Sequence, residues 1–240
     1  VTALSTIQEA TTEIGLSEPT VVFSSTDANI ITLRTMMNTT AKMIRDAGEW
    51  VELTKEHTFT TSASTETYNL PSDYDHINVE TGWDRTDFTK LRESLSGPVW
   101  QAIKSGIIQQ AGAFSGFRIR GHTSGQFYID PTPSSSINMV YEYQSKNTVL
   151  TSGSVEQVAF TSDDDTFILD EYYLMLGCVW RFNRAKGFPW REQFQEWNLG
   201  VQNQFGRHSG APVIDMGNNS IGSYEWPYFP ANIQEGNFLI

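Results

Sequence analysis

The chain has 240 residues, enough to bury a sizeable core in one large domain or two small ones without disulfide staples. Its 16 basic and 28 acidic residues give a formal net charge of −12, which excludes a surface that grips nucleic acid mainly by neutralising phosphates. An aromatic content of 12% and a hydrophobic content of 39% exclude a disordered tail. Cys178 is the sole cysteine, so an intramolecular disulfide is impossible, as suits a reducing cytoplasm. The sequence has no apolar run long enough for a bilayer and no signal-peptide pattern at its start. The expectation is a soluble protein made in the cytoplasm.

Leu4, Ile7, Thr11 and Ile14 recur at helical spacing, and Gly15 follows as a stop. A second helix is predicted from Asp27 to Ala47, with Thr26 or Asp27 as its cap. Ile30, Leu33, Met37, Ala41 and Ile44 form its apolar stripe, and Gly48 is placed to close it. From Trp50 onward the texture is Thr, Val, Tyr and Phe. Glu56 to Thr61 reads as a strand, Thr65 to Leu70 as its hairpin partner, and Ile77 to Thr81 as a third strand. Pro71 ends the second of these. A short helix is expected over 94–104, with Pro98 in its first turn and Gly106 at its end.

Phe117 to Arg120 alternates apolar and charged residues, as a half-buried strand does. Gln126 to Asp130 and Ile137 to Gln144 are the next strands, the latter placing Ile137, Met139, Tyr141 and Tyr143 on one face. A polar linker covers 151–157. Asp163, Asp164 and Asp165 then precede an apolar run, where they suit the positive end of a helix. That helix is predicted over Phe167 to Lys186. Gly187 and Pro189 break it, and Trp190, Phe194, Trp197, Val201 and Phe205 mark the partner in a helical hairpin. The last 30 residues lack a period and carry Trp226, Tyr228, Phe229, Phe238, Leu239 and Ile240, apolar side chains that need a surface to cover them.

The expected class is therefore α+β. Residues 1–50 and 161–210 form a helical bundle, 51–160 an inserted β-barrel-like domain, and 211–240 an extended C-terminal arm. The six apolar residues of the arm, Trp226, Tyr228, Phe229, Phe238, Leu239 and Ile240, are the candidate partner-binding site.

Site chemistry is thin. His57, His76, His122 and His208 are scattered and lack the helical i, i+4 partner of a zinc site. Asp163 to Asp165 lack the spaced ligands and turn glycine of a calcium loop. Gly121-His122-Thr123-Ser124-Gly125 resembles a serine elbow only loosely, because the serine is one position late. Cys178 falls in an apolar helix and reads as a buried thiol. Trp180, Trp190 and Trp197 fall on or beside helical stripes, where packing is the default, whereas Trp50, Trp83 and Trp100 stay open. The reading carries no catalytic residue, metal or cofactor.

One ordered set of motifs goes further. Ala47-Gly48-Glu49-Trp50 ends the long helix. Tyr68-Asn69-Leu70-Pro71-Ser72-Asp73-Tyr74 follows the first strand. Ser96-Gly97-Pro98 comes next with Trp100, then Phe127-Tyr128-Ile129-Asp130-Pro131 and Tyr141-Glu142-Tyr143, before two closing helices. This order, over most of residues 1–210, resembles the head-to-tail adaptor family of short-tailed phages, the tail tubular protein A-like group. The resemblance implies a helical domain joined to a barrel-like one, without catalytic residues. It also implies a homo-oligomer, a dodecameric ring in the virion between portal protein and tail nozzle protein, possible contact with tail fibres, and DNA passing through the hole unbound. An acidic wall would repel a duplex and let it slide. The rival readings are a β-rich carbohydrate-binding module and a two-carboxylate hydrolase, for which no acid pair stands out.

Overall fold

In a computed structural model of the chain, the described residues are 1–91, 96–106, 116–121 and 125–208. The first helix, α1 (Ala3–Ile14), starts at a capping box: the Thr2 hydroxyl accepts from the Ser5 amide, and the Ser5 hydroxyl accepts from the Thr2 amide. Gly15 ends it in the left-handed conformation, at φ +81°, where a side chain would be strained. Helix α2 (Ala28–Arg45) is capped by Asp27, whose carboxylate accepts from the Asn29 amide at 2.7 Å. Its predicted stripe, Ile30, Leu33, Met37, Ala41 and Ile44, is buried throughout. The helix stops at Arg45 rather than at Gly48. Gly48 serves packing instead, because a Cβ there would run into the Phe205 ring.

Three more helices follow: α3 (Gly97–Lys104), α4 (Glu171–Lys186) and α5 (Arg191–His208). Helices α1, α2 and α5 all pack on α4. Leu174 to Trp180 are buried without a break, so α4 is covered on every side and runs through the middle of the helical core. Gly177 sits where its neighbours come closest. A Cβ added there would collide with Thr40 of α2 and stand 3.0 Å from the Trp197 indole nitrogen of α5.

The predicted start of α4 at Phe167 is four residues early. Asp170 caps the helix by accepting from the Tyr172 amide at 2.9 Å. Phe167 is buried in an extended segment before it. The acidic run 163–165 is correspondingly not the start of α4. Asp163 accepts from the Val22 and Phe23 amides at 3.0 and 2.9 Å, and Asp165 from the Thr161 and Ser162 amides at 2.6 and 2.8 Å. The run does meet a helix N-terminus, that of α1, through its carbonyls: the Ala3 and Leu4 amides donate to Asp165 and Asp163.

The strands are β1 (Thr54–Thr60), β2 (Thr67–Asn69), β3 (Tyr74–Ile77), β4 (Trp83–Asp84), β5 (Thr89–Lys90), β6 (Gly116–Arg120), β7 (Gln126–Asp130), β8 (Asn138–Ser145), β9 (Val149–Leu150), β10 (Glu156–Gln157) and β11 (Thr166–Phe167). β8 is the spine of the largest sheet. β1 pairs with it along its whole length, and β3 and β4 pair with it as well, β4 in turn pairing with β5. β2, β7 and β6 form a second sheet, and β10, β9 and β11 a third. All pairings are antiparallel.

Two strand expectations need correction. β1 and β2 are not hairpin partners, since β1 takes β8 and β2 takes β7. The strand expected at Ile77 to Thr81 lies earlier, at Tyr74 to Ile77. The barrel-like expectation also fails in its detail: the class is α+β, but the sheets of the described residues stay separate and do not close. Aromatic stacking joins them where a ladder does not. Phe127 of β7 lies face to face with Phe117 of β6 at 4.8 Å and with Tyr141 of β8 at 5.2 Å. Phe59 of β1 closes the group edge-on to Phe127. The predicted face of β8, with Met139, Tyr141 and Tyr143, points into this cluster.

Asp73 fastens the strands further. Its carboxylate accepts from Lys55 Nζ at 2.7 Å, the Tyr143 hydroxyl at 2.9 Å and the Ser145 hydroxyl at 3.0 Å. Its carbonyl accepts from the Lys146 amide at 2.8 Å. Lys55 also pairs with Glu156 of β10, so the largest sheet is tied to the third one. Burial alone would raise the Asp73 carboxyl, but Lys55, Tyr143 and Ser145 outweigh it and hold it below its ordinary value. Burial likewise works to lower Lys55, and Asp73 and Glu156 outweigh it and raise it.

A depressed carboxylate contributes stability above its unfolded pKa and loses it as pH falls through the folded value. The Asp73→Asn protein should therefore be less stable at neutral pH, by about 1–3 kcal/mol, and should show a shallower loss below the ordinary carboxylate value of 3.8. Urea unfolding at several pH values measures both. For the helical core, Gly177→Val should cost about 1–3 kcal/mol by overpacking. Gly206→Ala, where a Cβ meets nothing within 4 Å, should be neutral or stabilising by up to about 1 kcal/mol.

Candidate functional site

Cys178 and His57 are placed for packing. Cys178 is fully buried in α4, and burial pushes its thiol up to about 12. His57 packs against Phe59 and Tyr141, and burial lowers its pKa against a smaller opposing pull from Asp73. His76 is exposed and meets Asp75 at 2.8 Å. His122 and Ser124 lie outside the described residues, as does the side chain of His208. Among the described residues, no three His, Cys, Asp or Glu side chains gather as a metal-binding group. No helix of the described residues is long and apolar enough to cross a membrane.

A cavity of about 360 Å³ holds Asp46, Glu49, Asp75 and His76. Arg45 takes Asp46 at 2.7 Å and His76 takes Asp75, so these are surface pairs rather than two acids with separated roles.

Trp180, Trp190, Phe194 and Trp197 pack on one another between α4 and α5, with ring centroids 5.1–6.1 Å apart from Trp180. Trp50 is buried, and its indole donates to the Ile44 carbonyl at 2.9 Å, turning the chain out of α2. Trp100 is buried under α3, edge-on to Tyr128. Lys104 and Arg120 lie over its ring at 5.2 and 5.6 Å. Lys104 also binds Asp130 at 2.8 Å and Glu66 at 3.0 Å, which fixes α3 on the second sheet. Trp83 is half-buried. Among the described residues Trp50, Trp100, Trp180 and Trp197 are thus buried, unlike the exposed row that a sugar-binding face presents.

The ordered motifs thus share one purpose. Ala47-Gly48-Glu49-Trp50 turns the chain between helices and strands, Leu70-Pro71-Ser72-Asp73-Tyr74 supplies the Asp73 junction, and Trp100, Tyr128 and Asp130 seat α3. Sequence periodicity does not reveal the Asp73 junction, because its partners Lys55, Tyr143, Ser145 and Glu156 are distant in the chain. The six candidate partner-binding residues, Trp226, Tyr228, Phe229, Phe238, Leu239 and Ile240, lie outside the described residues.

Several large apolar side chains are exposed on the described body. Phe88 is 82% exposed at the tip between β4 and β5, where Asp84 accepts from the Thr86 and Asp87 amides and fixes the turn. Phe188 and Leu199 stand out at the start and middle of the α5 region. Cys178 gives a direct check that the body beneath is closed. A maleimide should label the folded protein at least about a thousandfold more slowly than the urea-unfolded chain, because reaction waits for opening. Comparable rates would mean that α4 is not buried.

No curated protein matches the chain. A profile of the SU10 adaptor protein family matches residues 1–216, which takes in both helical segments and all the strands between them. The chain belongs to the SU10 adaptor protein family, in agreement with the phage head-to-tail adaptor resemblance carried by its ordered motifs.

Proposed function

We propose that this protein is a ring-forming head-to-tail adaptor of the virion, seated between portal protein and tail nozzle protein, with the genome passing through the ring. The observation that carries the reading is the family match across residues 1–216, which spans the motif order rather than one motif. The side-chain placement supports it: the aromatic and titratable residues of those motifs build a rigid body rather than a reaction centre. The net charge of −12 supports a channel wall that repels DNA, so acidic residues outnumber basic ones on the inner face. Twelve copies, contact with tail fibres and host-cytoplasmic synthesis belong to the same proposal.

Division into a helical domain (1–50 and 161–210), a β-rich domain (51–160) and an arm (211–240) is part of it. The arm binds a neighbouring subunit or the portal through Trp226, Tyr228, Phe229, Phe238, Leu239 and Ile240. Burying each such side chain contributes about 1.5–3 kcal/mol, offset by the cost of ordering the arm.

Native mass of the full chain, alone and with its portal protein, tests the reading. A ring-sized complex with the portal is expected. Deleting 224–240 should leave the subunit folded and monomeric but unable to join. A chain that stays monomeric with the portal, or a truncated one that assembles with full strength, contradicts the ring or the arm respectively.

A further inference from the structure

Helix α2 carries three cations between its Asp27 and Asp46 caps: Arg45 pairs with Asp46 at 2.7 Å, Arg34 donates to the Phe23 carbonyl at 2.9 Å, and Lys42 is exposed. Its inner stripe is buried on α4. On its outer side Ile31, Thr35, Thr39 and Met43 follow at intervals of four and share one face, which ends where the Arg181 guanidinium of α4 meets the Met43 sulfur. Ile31 and Met43 are 38% and 37% exposed. The hydroxyls of Thr32, Thr35 and Thr39 donate back to the carbonyls of Ala28, Ile31 and Thr35 at 2.7, 3.0 and 2.9 Å. A hydroxyl engaged within its own helix leaves the γ-methyl to meet a neighbour. The outer face is therefore more apolar than its threonines suggest. Solvent-facing helix surfaces ordinarily carry charge, whereas interface centres lose charge and gain methionine. Lys42 stands exposed at the rim of this face.

A second patch has the opposite chemistry. Tyr172 of α4 is 49% exposed and donates to Glu196 of α5 at 3.1 Å. Burial first, then Glu196 and Glu13 of α1, hold the pKa of this phenol above its ordinary value, and exposed Leu199 follows Glu196 on α5. The patch pairs apolar area with acid, as the α2 face pairs apolar area with base.

We propose that the outer face of α2 is the contact through which one copy meets the next, received by the Glu13, Tyr172, Glu196 and Leu199 patch of that second copy. Charge complementarity selects the occupant: the cation at the rim of one face meets the carboxylates of the other. Because the two patches differ, the contact is heterologous, the type that builds a ring when the rotation between copies closes and an open filament when it does not. The inference rests on the ring reading given above.

The test uses the full chain with its portal protein and reads mass against concentration. Thr35→Glu together with Thr39→Glu should weaken assembly by about tenfold or more, because carboxylates then face carboxylates across the contact. The melting curve of the free subunit should not change, since both positions face solvent. Adding Glu13→Lys and Glu196→Lys to the same chain should restore assembly. Normal assembly of the Thr35→Glu, Thr39→Glu protein overturns this surface and leaves the ring reading intact. A drop in free-subunit stability that vanishes on deletion of 211–240 also overturns it, because the chain's own arm would then be the occupant. A wild-type chain that forms no ring overturns both.

Discussion

The burial of α4 on every side is the constraint on which the structure depends. A helix with one apolar stripe can lie on a surface, but seven consecutive buried residues require partners all round. Those partners come from both ends of the chain, α1 and α2 before the strand block and α5 after it. The strand block must therefore leave and return to the same core. Gly177 permits the close approach of Thr40 and Trp197, and Gly48 makes room for Phe205 in the same way. The helical hairpin and the return of the first two helices are consequences of that one crowded crossing.

The strand block is held by a different chemistry. Its sheets are not closed by hydrogen-bond ladders among the described residues, so side chains connect them. The Phe117, Phe127 and Tyr141 stack joins the second sheet to the first, and the Lys55, Asp73 and Glu156 group joins the first to the third. Both are directional. Stacked rings and paired charges fix relative orientation more sharply than aliphatic packing does.

Much of this was legible in the sequence where a period or a cap carried it. The α2 stripe, the five aromatic and apolar positions of α5, the β8 face and the helix-ending Gly15 all follow from spacing and local backbone chemistry. What failed was non-local. The partner of β1 is β8, about 80 residues on, and nothing in Glu56 to Thr61 distinguishes that partner from the nearer Thr65 to Leu70. Acids before an apolar run predict a helix start, which Asp163 and Asp165 are not for α4. Their real use, binding the amides of Val22, Phe23, Thr161 and Ser162, depends on tertiary proximity. Asp73 belonged to a recognisable motif, yet its function as a junction required the positions of four distant side chains.

The family places the chain among adaptor proteins, and the described residues form a body centred on α4 and tied together by Asp73; the reading proposed above has that body assemble through its surface without refolding its core. Hydrogen exchange of the free subunit and of the virion-assembled protein tests this claim most directly. The α4 amides should be the slowest to exchange in the free subunit and should keep the same protection after assembly, with changes confined to surface segments. Exchange of α4 at loop-like rates in the free subunit, slowing only on assembly, would contradict a preformed body.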